Sequence, residues 1–142
     1  MARSFNEIVR DLNNYVPSYD WLILSELTRE LFETGEAEKA IDVMFSIMEK
    51  YPDEDLGNPG SLVHTLEKCQ GYESHLIKSV QRQPTYYNVW MVNRILNSDV
   101  SLNYRESLLA LLASVLNHPK ADESAKQSAL NFIEWQSSRG EA

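Results

Sequence analysis

Three histidines, one cysteine and 21 acidic residues are the side chains with which this chain could do chemistry, so their spacing is tested first. His64 and Glu67 lie one helical turn apart and could begin a metal site. A metal needs a third and fourth ligand, however, and His75 falls on a different predicted helix, with no His-Glu-x-x-His pattern anywhere. Cys69 with His64 or His75 would be a nucleophile and base, but a thiol on the apolar stripe of a helix reads as a small core residue. Asp53, Asp55 and Gly57 begin like a calcium loop; its sixth position is then Asn58 instead of glycine and its twelfth His64 instead of a bidentate glutamate. Gly57-Asn58-Pro59-Gly60 precedes a helix without the spacing or the Lys-Ser/Thr pair of a phosphate loop. The expectation is no catalytic residue, no metal and no cofactor, hence a chain that is not an enzyme.

What does stand out is the placement of charge. The formal net charge is −8. Nine acids (Glu30, Glu33, Glu36, Glu38, Asp42, Glu49, Asp53, Glu54, Asp55) face only two bases, Lys39 and Lys50, between residues 30 and 55. Such a field repels phosphate backbones and anionic lipids and speeds encounter with a basic protein, an effect that fades as salt rises. The same acids would equally serve as an ordinary solvated helix face. Lys68, Lys78, Arg82, Arg94 and Arg105 are scattered and not interleaved with aromatics, so neither nucleic acid nor membrane is an expected partner.

The elements that must position these acids are helical throughout. No stretch sustains the period-2 alternation of a half-buried strand, and the fold class expected is all-α, about eight helices as antiparallel hairpins in an irregular bundle or α-solenoid-like stack. Ser4 and Glu7 form a capping box for a first helix through about Leu12. A second, from about Tyr19 to Glu33, turns Trp21, Leu24, Leu27 and Leu31 inward and ends at Thr34-Gly35. A third, about Glu36 to Tyr51, carries Ala37, Ala40, Ile41, Met44, Phe45 and Met48 on one stripe, so the second and third are expected as an antiparallel hairpin presenting its acids on one rim. Asn58-Pro59 opens a fourth helix with Leu62, Val63, Leu66 and Cys69 inward, ending near Gly71, and a fifth bears Tyr72, Leu76, Ile77 and Val80. The sixth, Thr85 to Asn97, is apolar almost all round and reads as a spine. Asn103 and Glu106 are expected to cap a leucine-rich seventh, and an eighth from about Asp122 places Ala125, Ala129, Phe132 and Ile133 on one face.

At 142 residues, with glycine and proline dispersed, a single domain over 1–142 is expected, able to bury its core without disulfide or metal. The N-terminal residues meet charge too soon for a secretory signal, and Leu108–Leu116 is far shorter than the roughly 20 residues that cross a bilayer. With one cysteine, the cytoplasm is the expected compartment. Gly35-Glu36-Ala37-Glu38-Lys39-Ala40-Ile41 resembles the second half of a tetratricopeptide repeat, but no second copy follows about 34 residues on.

Two stretches resemble a family of small bacterial immunity proteins that accompany polymorphic and contact-dependent growth inhibition toxins. They are Asp55-Leu-Gly-Asn-Pro-Gly-Ser-Leu-Val-His-Thr-Leu-Glu67 and Arg82-Gln-Pro-Thr-Tyr-Tyr-Asn-Val-Trp-Met-Val-Asn-Arg-Ile-Leu-Asn97. The resemblance spans about Tyr51 to Asn97 by motif. It implies a cytoplasmic antidote, monomeric in the complex, that binds a cognate protein toxin domain and blocks its active site without turnover. Many such toxins are nucleases, often RNases, with basic clefts; the nine acids would then take the place of a phosphate backbone. Within the motifs, Asn58, Pro59 and Gly60 are expected to shape a turn, His64 and Asn93 to bridge helices and Trp90 to fill the core. The competing expectation is a helical-repeat adaptor that holds a peptide in a groove lined by Tyr86, Tyr87 and Tyr104.

Overall fold

A computed structural model describes residues 3–17, 22–54, 56 and 60–140. Among these the chain is all-α: eight α-helices and one 3-10 helix, with no strand. The chain groups into two compact units, Met1–His75 and Leu76–Ala142, the division falling within a helix.

The first unit begins with α1 (Phe5–Asn13), whose capping box is formed as expected: the Ser4 hydroxyl accepts from the Glu7 amide at 3.2 Å and the Ser4 amide donates back to the Glu7 carboxylate. Leu24, Leu27 and Leu31 are buried on α2 (Leu22–Glu33), and Gly35 beyond it takes φ +75, a left-handed conformation that glycine adopts without a Cβ penalty. Trp21 and the expected start of this helix lie outside the described residues, as do Asn58 and Pro59. The expected third helix starts as a 3-10 helix (Ala37–Ala40) and continues as α3 (Ile41–Lys50). Its whole apolar stripe is buried, with Met44, Phe45 and Met48 fully enclosed. α4 (Gly60–Lys68) buries Leu62, Val63 and Leu66, and Gly71, at φ +80, turns the chain into α5 (Tyr72–Arg82).

The helices flanking Thr34-Gly35 are not each other's closest backbone neighbours: α2 lies nearest α4 and α1, and α3 lies nearest α1 and the 3-10 helix that precedes it. The tight 3-10 segment stands between α2 and α3, where a short loop alone would lead straight into antiparallel packing.

In the second unit α6 (Tyr86–Leu96) is capped by Thr85, whose hydroxyl accepts from the Asn88 amide at 3.1 Å while the Asn88 side chain accepts from the Thr85 amide at 2.8 Å. α7 (Leu102–Val115) is capped by Ser101, not by the expected Asn103; the hydroxyl of Ser101 accepts from the Tyr104 amide. Asp122 caps α8 (Glu123–Gly140) through the Ala125 amide. α8 lies close against both α6 and α7, and Ala125 and Ala129, with no exposed surface, permit that approach. A buried amide cluster joins two of these helices: Gln136 Nε2 donates to Asn93 Oδ1 at 2.7 Å and to Asn97 Oδ1 at 2.9 Å. No helix among the described residues is long and apolar enough to cross a membrane.

Candidate functional site

Eight of the nine acids can be placed; Asp55 lies outside the described residues. Folding draws them into separate neighbourhoods of the first unit. Glu30 and Glu33, a turn apart on α2, meet guanidinium groups: Arg3 Nε donates to Glu30 Oε2 at 2.8 Å and Arg29 Nη1 to Glu33 Oε1 at 3.1 Å. Around the 3-10 helix, Lys39 pairs with Glu36 at 2.8 Å, and Asp42 lies 2.7 Å from the His75 Nδ1 of α5. Glu38 stays exposed and has no ion-pair partner among the described residues. The third neighbourhood follows α3, where Asp53 and Glu54 are exposed, Glu49 is half-buried, and Tyr15 and Tyr51 stand close by. Burial first, then the neighbouring Tyr51 and the charge on Glu54, push the Tyr15 hydroxyl above its ordinary pKa.

Glu30, Glu33 and Asp42 are therefore partnered by side chains from outside the acid-rich stretch. The bases responsible, Arg3 and Arg29, lie before residue 30, and His75 lies well past residue 55, so none enters a charge count over residues 30–55. Within the stretch, Lys39 donates to Glu36 at 2.8 Å, and Lys50 donates to the backbone carbonyl of Asn13 at 3.3 Å. Exposed pairs of this kind are screened and contribute little to stability, so the acids still present negative charge to a partner.

The remaining candidates resolve individually. Cys69 is buried and its thiol donates to the Thr65 carbonyl at 3.3 Å; burial first, and Glu38 second, push the thiol above its ordinary pKa, away from the reactive thiolate. His64 is exposed on α4 and makes no side-chain hydrogen bond among the described residues, whereas Asn93 does join helices, through Gln136. Among the described residues no three His, Cys, Asp or Glu side chains converge as a metal would require.

Trp90 is half-buried, not a core filler: Arg94 stacks over its ring at 5.6 Å and the Tyr86 ring lies 5.9 Å away. Tyr87, expected to line a groove, is buried. Reading α6 as apolar almost all round overlooks that Tyr86 and Trp90, a turn apart, are only half-buried and lie against each other.

Sequence reading also misses a seam. Arg3 bonds both Glu30 and Asp11, and that knot separates two hollows between α1 and α2, one of about 590 Å³ beside Phe5 and Thr34, the other of about 390 Å³ beside Val16 and Ile23. The available signal is register: Leu22, Ile23 and Phe32 are apolar yet off the Leu24–Leu27–Leu31 stripe, and all three are exposed. Phe32 is partly accounted for by Lys68, whose ammonium sits 5.1 Å from its ring centre.

Set against known proteins, the chain matches no family model, no curated protein and no solved structure.

Proposed function

We propose that the chain is an immunity protein: it binds a cognate, basic toxin domain of nuclease type in the cytoplasm and blocks its active site, turning nothing over. The observation that carries this reading is the exposed charge of the first unit. Glu38, Asp53 and Glu54 stand exposed at its surface. Carboxylates held on helix ends and a short loop are placed to meet Lys and Arg of a cleft built for phosphate, where charge-assisted pairs shielded from water are strong. The sequence resemblance at Asp55–Glu67 and Arg82–Asn97 supplies the partner class.

A peptide-binding helical adaptor is the second reading. It loses Tyr87 to the core, but the hollow beside Val16 and Ile23 supports it.

Growth rescue tests the proposal. The C-terminal domain of a large secreted protein encoded beside this gene, induced alone, is expected to arrest growth, and co-expression of the full chain to restore it. Persistent arrest, with the two proteins eluting separately, contradicts the immunity reading.

A further inference from the structure

We infer that the α1–α2 seam of the first unit is a docking groove for a partner segment bearing an apolar side chain flanked by lysine or arginine. The inference deepens the proposed function by naming a contact surface, and to that extent rests on it.

Two exposed aliphatic side chains mark the place. Val16 is 68% exposed and Ile23 47%, and both line the hollow of about 390 Å³. Its size lies within the range that takes a small group, here one or two side chains of a partner. Exposed aliphatics on a helix that already buries Leu24, Leu27 and Leu31 contribute nothing to that core. They cost hydration in the free protein, a cost that a covering partner removes.

Charge decides which partner. Asp11, Glu26 and Glu30 line the same hollow with one cation, Arg3. Arg3 is engaged by Asp11 and Glu30 together, and this double pairing holds its guanidinium charged well above the ordinary arginine value. Glu26 is exposed and has no ion-pair partner among the described residues, leaving an uncompensated carboxylate beside the Ile23 side chain. An apolar patch rimmed by negative charge discriminates against acidic segments by repulsion as much as it favours basic ones. Ile23 and Glu26 lie on α2 and are not among the exposed Glu38, Asp53 and Glu54, so the seam and those acids can be tested by separate substitutions.

The experiment is an amide-resolved NMR titration of the full chain with three synthetic peptides: lysine alternating with leucine, glutamate with leucine, and lysine with serine. Saturable shifts centred on Asn14, Val16, Ile23, Glu26 and Leu27 are expected with the first peptide only. Ile23→Ser, at an exposed position, and separately Glu26→Lys, are expected to weaken binding by about tenfold with the amide spectrum otherwise unchanged. Shifts spread over every acidic surface, or equal shifts with the glutamate–leucine peptide, overturn the inference. The two readings fail separately: a toxin domain that binds Ile23→Ser and Glu26→Lys as well as it binds the natural chain removes the seam but keeps the immunity function. Localised peptide binding together with no growth rescue removes the immunity function and keeps the seam.

Discussion

At the scale of single residues, partners explain more than types do. Arg3 holds the Asp11 carboxyl below its ordinary pKa, and the Ser4 cap does the same for Glu7. A carboxyl whose folded pKa is lowered contributes stability that is complete above its unfolded pKa, near 4, and is lost as pH falls through the lower folded value. Thermal melting followed from neutral to strongly acidic pH is therefore expected to fall less steeply below about pH 4 in Asp11→Asn than in the natural chain, Glu7 retaining its own share. Equal slopes would place Arg3 outside the folding balance. Trp90→Ala is expected to cost about 1–2 kcal/mol, the worth of its contacts with Tyr86 and Arg94, not the larger loss of an enclosed ring. Chemical denaturation measures it, and a loss above about 3 kcal/mol would return the ring to the core.

Elements were the most legible part of the sequence where periodicity and capping agree. Ser4 with Glu7 and the Ala37–Met48 stripe appear where the pattern puts them, while Thr85, read as the start of the sixth helix, is its cap. What the pattern cannot carry is which helices become neighbours, because that depends on how the chain leaves each helix. The 3-10 segment at Ala37–Ala40 is indistinguishable in period from the helix it precedes, and it goes with the nearest backbone neighbours of α2 being α1 and α4. Ser101 and Asn103 are both good caps by type, and only the backbone decides between them. The pairing at α8 gives a sharp test. Ala129 is fully buried where α8 lies against α6 and α7, so Ala129→Leu is expected to destabilise the chain by about 1–3 kcal/mol through overpacking. Unchanged stability in a denaturant titration would mean that the helices stand further apart there.

For the molecule as a whole, the acid-rich stretch is visible in the sequence and its electrostatic meaning only partly so. Counting along the chain finds the excess; counting through space adds Arg3 and Arg29 and places His75 beside Asp42. The exposed acids Glu38, Asp53 and Glu54 carry the proposal that this chain neutralises a basic toxin domain. Steering by such charges acts on the rate of encounter and weakens as salt shortens the range of the field. The decisive measurement is the association rate between the toxin domain and the full chain at low and at physiological salt, beside the triple variant Glu38→Lys, Asp53→Lys, Glu54→Lys. The expected result is an association rate lower by about tenfold or more in the variant at low salt, a shallower salt dependence and a nearly unchanged melting temperature. Absence of a complex, or equal rates and equal salt dependence in the two proteins, would contradict it.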